Sequence, residues 1–268
     1  MRPALARAWI AVLAIIVGGC GGGGGGGTGG SSSAPAPSAP STIATLSIDS
    51  RNTGVSYPIS VYSPPGAESQ ALPVIYVLDA ESRFNSLTSV VQDTGTRAIV
   101  VGVANTGLAR RQVDFLMPGA DAYYRFILEE LVPLIESRYR TDPLRRVLSG
   151  HSSSGLFVGY ALFQEQPAQR RFAAFLCADP SFWQQPADVA QAQARLRAAF
   201  AMTALPVTFL LGGDAQGNLP SSNAMYASLL ADNFQGFRLE HRAYNLGHVP
   251  MDSPFFRESL AIVLGTAP

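Results

Sequence analysis

The run Leu148-Ser149-Gly150-His151-Ser152-Ser153-Ser154-Gly155 carries the residue types best suited to covalent chemistry in this chain. Glycine, any residue, serine, any residue and a small residue describe a strand-to-helix turn that lifts a serine hydroxyl clear of the backbone. Here the fifth position is Ser154 rather than glycine, with Gly155 following it. Small neighbours are what such a turn needs, because strand and helix meet in it at a sharp angle. Glycine and serine clusters also make ordinary turns, so the context decides. Arg146-Val147-Leu148 reads as the end of a short buried strand, and Gly155 to Phe163 as a helix packed under a sheet.

A serine hydroxyl becomes a nucleophile only with a base to take its proton and an acid to orient that base. The chain has three histidines. His151 adjoins Ser152, where neighbouring side chains diverge, and His241 lies in an alternating strand. His248, in Asn245-Leu246-Gly247-His248-Val249-Pro250, sits in a loop just past the last expected strand and is the candidate base. The acid should follow a strand between the two. Asp214 fits, since Leu210-Leu211 runs into Gly212-Gly213-Asp214, and Asp179 in Ala178-Asp179-Pro180 is the competitor one strand earlier. Either aspartate would also serve as turn chemistry. An oxyanion developing on the substrate needs two N–H donors. One is expected from Ser153, directly after the nucleophile, and the other from the loop Asp79-Ala80-Glu81-Ser82.

These groups need a scaffold, and the hydrophobic pattern predicts one. Ile43 to Ile48 and Ser56 to Tyr62 alternate as antiparallel strands do, and Pro64-Pro65-Gly66 closes the second. Leu72 to Asp79, Arg97 to Val103, the strand at Phe172 and Pro206 to Leu211 contain apolar runs of the kind that fill a central parallel sheet. Helices are expected near Ser86 to Gln92, over Ala122 to Arg140 with a kink or a new turn at Pro133, over Ala187 to Phe200, over Ser221 to Asn233 and around Pro254 to Leu264. The last strand is expected over Gly236 to Tyr244. Such alternation implies an α/β fold, a mostly parallel central sheet with helices on both faces, and active groups at the carboxyl ends of its strands.

The N-terminus reads differently. Arg2 and Arg7, the apolar stretch Ala8 to Val17 and then Gly18-Gly19-Cys20 describe a secretory signal too short to span a membrane. Val17-Gly18-Gly19-Cys20 resembles a bacterial lipobox, so residues 1–19 are read as a lipoprotein signal peptide and Cys20 as the lipidated residue. Residues 20–41 form a Gly/Ser/Pro tether with too little apolar surface to fold, and 42–268 a single α/β domain. An exported, membrane-anchored protein on the periplasmic side is expected, with an outer-membrane address preferred because Gly21 is not the aspartate that favours inner-membrane retention. With Cys20 used for lipid, Cys177 is the one cysteine left, which excludes an internal disulfide and disfavours a cysteine-based metal site. The formal net charge is zero and no lysine occurs, so no basic patch points to nucleic acid. No cofactor, metal or partner protein is indicated.

From about Ile43 to Leu264 the chain resembles the putative-esterase family of α/β-hydrolases, a group of siderophore esterases, S-formylglutathione hydrolases and mycolyltransferases. The resemblance rests on ordered blocks: Val74 to Asp79, Arg110 to Pro118, Phe126 to Glu136 with Tyr139-Arg140, Gly150-His151-Ser152, Gly155-Leu156-Phe157, Pro180-Ser181-Phe182-Trp183 and Gly247 to Met251. It implies an α/β-hydrolase fold, Ser152 as nucleophile, His248 as base, Asp214 as acid, and the backbone of Glu81 and Ser153 as oxyanion donors. It also suggests Trp183 as a pocket residue and Arg110 and Arg111 as holders of an anionic substrate group. The chain departs from the family at Ala80, where glycine is usual, at Ser154, and at Asp179, where a small serine is common, which keeps the acid open. The function so implied is hydrolysis of a small-molecule carboxylic ester through an acyl-enzyme. Acyl transfer to an alcohol, or a binding lipoprotein that has lost the chemistry, are the alternatives.

Overall fold

A computed structural model of the chain describes residues 40–265. The signal over 1–19, the Cys20 lipidation site and the tether through residue 39 lie outside the described residues. The alternating segments form β1 (Thr42–Asp49) and β2 (Ser56–Ser63), an antiparallel pair, and the apolar runs form β3 (Leu72–Leu78), β4 (Ile99–Val103), β5 (Thr141–His151), β6 (Ala174–Ala178), β7 (Thr208–Asp214) and β8 (Arg238–Tyr244). They make one eight-stranded sheet in the order β1-β2-β4-β3-β5-β6-β7-β8. β2 meets β4 antiparallel, and every pairing from β4 across to β8 is parallel. The fold is that of an α/β-hydrolase.

Successive strand residues point to opposite faces, and the central strands divide their apolar side chains accordingly. Tyr76, Leu148, Phe175 and Phe209 enter one core with Tyr123, Phe126, Phe157 and Leu196. Ile75, Val77, Val147, Leu176 and Leu210 enter the other with Phe84, Leu87, Phe255 and Phe256. That second face is covered by α1 (Ala80–Asp93) and α8 (Asp252–Leu264). The first face carries α2 (Leu108–Phe115), α3 (Gly119–Phe126), α4 (Val132–Arg138), α5 (Ser153–Phe163), α6 (Pro186–Ala199) and α7 (Leu219–Asp232). Two details differ from the pattern. α2 occupies a stretch to which the hydrophobic pattern assigns no element, and α3 passes into α4 through a π-helical segment, Ile127–Leu131, after which the Val132 N–H reaches the Ile127 carbonyl. Pro133 sits at the second position of α4, directly after that segment, where it has no N–H to give to the preceding turn.

Beneath the strand ends a buried ion pair ties the layers together. Arg83 on α1 grips Asp252 at the start of α8 through Nε (2.7 Å) and Nη2 (2.8 Å), and donates to the carbonyls of Leu78 and Ser149 and to Ser149 Oγ. Burial pushes the Asp252 carboxyl up, but the Arg83 charge overrides it and holds the group below the ordinary carboxylate range. With its donors shared among a carboxylate, two carbonyls and a hydroxyl, the guanidinium can be buried, which an unsatisfied charge could not be.

A second buried carboxylate has no cation on it. Glu165, 1% exposed, accepts the N–H groups of Arg171 (2.9 Å) and Phe172 (3.3 Å), closing the loop that leads into β6. Burial pushes its carboxyl from 4.5 up to about 7, against those hydrogen bonds. The folded protein thus keeps a proton that the unfolded chain has released, and this group's contribution to stability falls as pH rises from 4.5 to about 7. The shift corresponds to about 3 kcal/mol. Chemical denaturation at intervals across that window should show wild type losing stability relative to Glu165→Gln by about this amount; parallel curves would refute it.

Candidate active site

Three adjacent strands, β3, β5 and β6, each run into a non-glycine residue in the left-handed region: Asp79 (φ 57°), Ser152 (φ 59°) and Asp179 (φ 42°). Such backbone costs of order 1 to 3 kcal/mol per residue and persists only where its surroundings hold it. Ser152 stands between β5 and α5, with its N–H on the Ala178 carbonyl (3.0 Å) and its carbonyl taking the Ser181 N–H (3.1 Å). The turn is tight enough that a Cβ on Gly150 would collide with the backbone of Ser154. The Ser152 hydroxyl lies 3.3 Å from Ser181 Oγ, its hydrogen-bond partner among the described residues.

His248 arrives in the loop after β8 and sets Nδ1 against Asp179 Oδ2 in a short hydrogen bond. A carboxylate only accepts, so Nδ1 carries the proton and Nε2 of the neutral ring is left with its lone pair. Asp179 is fully buried. Its Oδ1 takes the N–H groups of Asp214 (2.8 Å) and Asn218 (2.9 Å), and the Asn218 amide donates to its carbonyl (2.9 Å). Gly217 belongs to the same arrangement, since a Cβ there would strike the Asp179 carboxylate and crowd His248 Nδ1.

The expected acid, Asp214, is placed elsewhere. Its Oδ2 takes the N–H groups of Leu246 (2.8 Å) and Gly247 (3.0 Å), and its Oδ1 that of Gln216 (2.9 Å). Burial pushes its carboxyl up, yet these N–H groups, with the nearby His248, outweigh that and hold it below the ordinary range. Asp214 therefore shapes the loop that carries the histidine, while Asp179, the competitor one strand earlier, makes the contact with the ring. His151 works on the same loop. Its Nε2–H donates to the His248 carbonyl (2.7 Å), the two rings lie 4.4 Å apart, and burial lowers its pKa.

Ser153 opens α5 and Glu81 is the second residue of α1. Both are therefore in the first turn of a helix, where N–H groups have no intrahelical acceptor, and β3 and β5 are sheet neighbours. The departure at Ser154 has a physical partner. Its hydroxyl donates to Asp79 Oδ2 (2.6 Å) and accepts the His151 N–H (2.8 Å), linking the elbow to the residue that precedes α1.

Two sequence expectations are corrected at this point. Arg111 is no free anion holder, because Nε and Nη2 clamp Asp79 bidentately (2.8 Å each). Arg110 is likewise bound to Asp114 one turn along α2. The helix α2, unforeseen in the sequence, is what brings both arginines to buried carboxylates. Trp183 is 62% exposed, donates to Asn218 Oδ1 (2.8 Å) and lines a groove. Asn218 itself was missed. Asn218-Leu219-Pro220 signals a helix start, but its amide bonds Asp179 and Ser181 rather than capping α7. Arg83 and Asp252, 169 residues apart, left no sequence signal at all. Among the described residues no group of three or more His, Cys, Asp or Glu side chains forms a metal cluster, and no helix is long and apolar enough to cross a membrane.

A sheet of this order, with a serine at the elbow after β5 and a histidine after β8, defines an α/β-hydrolase. The chain belongs to the Putative esterase family, whose model matches residues 50–231. It is 33% identical over 172 residues to the ferri-bacillibactin esterase BesA of Bacillus subtilis, covering 52% of this chain and 58% of that protein. To the siderophore enterobactin esterase of Emericella nidulans it is 27% identical over 162 residues, covering 48% and 52%. The chain thus matches little more than half the length of these relatives. Among solved structures, the BES protein from Bacillus cereus superposes with a TM-score of 0.72 at 23% identity, covering 82% of this chain and 95% of that one. That likeness is one of fold.

The Asp79 cluster can be tested without any assay of chemistry. Removing the cation from a buried carboxylate leaves an uncompensated charge, which costs about 3 kcal/mol or more. Arg111→Met should destabilise by about that amount in urea, and Asp79→Asn should make the same change nearly harmless, a coupling that a double-mutant cycle reads directly. Additive losses would show that the clamp is idle.

Proposed function

We propose that the protein is an exported, lipid-anchored serine hydrolase that cleaves small carboxylic esters through an acyl-enzyme. The observation that carries this is the imidazole of His248, its Nδ1 held by the fully buried Asp179, in the loop bonded to the elbow that presents Ser152. In this reading Nε2 takes the Ser152 proton as Oγ attacks the ester carbonyl, and Asp179 stabilises the imidazolium that forms. The carbonyl oxygen becomes an oxyanion facing the N–H groups of Ser153 and Glu81. Collapse of the adduct breaks the ester C–O bond, and His248 hands its proton to the departing alkoxide. Water then repeats the sequence on the acyl-enzyme, releasing the carboxylic acid and restoring Ser152.

Asp179 is assigned as the orienting acid and Asp214 as a positioning residue. The family membership and the relatives named as siderophore esterases support an ester of a small molecule as substrate. Export and anchoring rest on the sequence: the basic and apolar start, Val17-Gly18-Gly19-Cys20, and the Gly/Ser/Pro tether after it, with Gly21 favouring the outer membrane.

The test is hydrolysis of short-chain p-nitrophenyl esters together with labelling by a fluorophosphonate probe. Wild type should turn over and become labelled, and Ser152→Ala should do neither. Asp179→Asn should lower kcat by about a thousandfold or more, as loss of the orienting carboxylate does in serine hydrolases, with Asp214→Asn well short of that. The reverse ranking would return the acid role to Asp214. Labelling without release of acid, but with ester formed on an added alcohol, would mean acyl transfer. Absence of both labelling and turnover would leave a binding protein.

A further inference from the structure

The end of the sheet opposite Ser152 carries a charge pattern that the site does not use. Residues 40–265 hold 17 arginines against 19 acidic residues, so the body as a whole is not basic. Yet Arg97 precedes β4, Arg138 and Arg140 precede β5, Arg145 lies in its first half, and Arg170 and Arg171 precede β6. All are exposed except the half-buried Arg171, and none belongs to the ion pairs formed among the described residues. Against these six stand Glu68, Asp142 and the buried Glu165. The sequence hides this face, because its arginines are scattered over three inter-strand segments.

The arginines adjoin one another in space. Arg97 and Arg145 border one depression and Arg138 and Arg140 another, while Arg170 donates to the carbonyls of Leu144 (3.3 Å) and Pro206 (3.1 Å). Among them two large apolar side chains stand out in solvent: Leu144, 70% exposed, and Met202, 94% exposed, in the loop that enters β7. The chain also enters the body here. Ser41 borders a depression with Arg97, and Thr42 borders the one with Arg138 and Arg140.

We propose that this face lies on the anionic phospholipid headgroups of the membrane that holds the Cys20 lipid. The inference rests on the anchored reading of Cys20 above. Arginines near an anionic bilayer surface are drawn to it, and surfaces that lie in the interface pair such cations with apolar side chains that enter the acyl boundary. Leu144 and Met202 supply the second element, which a nucleic-acid backbone would leave unused. Nineteen residues separate Cys20 from Pro40 and span at most about 70 Å, so contacts that are weak singly act at high local concentration. β5 runs from this face to the elbow over 11 residues, roughly 35 Å. Ser152 therefore opens on the aqueous side, where a soluble ester arrives.

With Cys20 lipidated and Cys177 buried, a cysteine placed on the surface is the thiol that a maleimide dye reaches. Leu144→Cys and, at the opposite end, Ala187→Cys are labelled with an environment-sensitive dye, and the full chain is reconstituted into phosphatidylcholine vesicles with or without phosphatidylglycerol. Emission at 144 should shift to the blue only with phosphatidylglycerol, and emission at 187 should not. The shift should be lost in about 1 M salt, where the Debye length falls to about 3 Å, and in Arg138→Gln/Arg140→Gln/Arg145→Gln, whose urea midpoint should match wild type. The same emission at 144 in both vesicles, or equal shifts at both positions, overturns the proposal, as does a shift produced by duplex DNA and not by phosphatidylglycerol. A chain found without lipid on Cys20 overturns the anchored reading alone if it still sediments with phosphatidylglycerol vesicles and not with phosphatidylcholine, and overturns both if it does not.

Discussion

A carboxylate removed from water must be met by donors, and the acid side of this site is arranged around meeting one. Asp179 has no exposed surface, and its oxygens are taken up by the N–H groups of Asp214 and Asn218 and by His248 Nδ1. Its left-handed backbone turns the carboxylate toward those donors, and a glycine at 217 leaves room for the approach. Loss of any donor would leave charge unpaired in a low-dielectric site, where such groups are costly. The histidine is thus held by the same interaction that keeps the aspartate buried.

The two aspartates divide the work because only one carboxylate is free to face the ring. β6 and β7 are sheet neighbours, about 4.8 Å apart, so an acid at either strand end has the reach. Asp214 spends its oxygens on three N–H groups, two of them in the loop that delivers His248. That loop is held on further sides by His151, through the His248 carbonyl, and by Asp252, through Arg83. Both act on the position of the imidazole through the loop that carries it.

Much of the fold was legible. The apolar runs of β3, β4 and β7, the alternation of β1 and β2, and the glycine and proline punctuation carry short-range information that any sheet of this kind must use. The elbow at Ser152 and the histidine past the last strand were legible for the same reason, as both belong to local strand-end patterns. α2 was not, because most of Leu108–Phe115 is exposed or half-buried, Leu108 and Val113 among them, so its apolar residues mark no buried face. Its consequence, the capture of Asp79 by Arg111, turned a candidate substrate contact into a structural clamp.

Residue type and near-neighbour spacing alone carry the class of fold, the serine turn, the histidine past the last strand and a short list of acids. Which of the two aspartates meets the His248 ring, the placing of the Asn218 amide, the Ser154 to Asp79 bond and the Arg83 to Asp252 pair appear only in the packed molecule. Each depends on which donors the packed loops bring within about 3 Å of a given oxygen. Residues far apart in the chain are joined there by sheet order and helix placement, and no local pattern encodes that meeting.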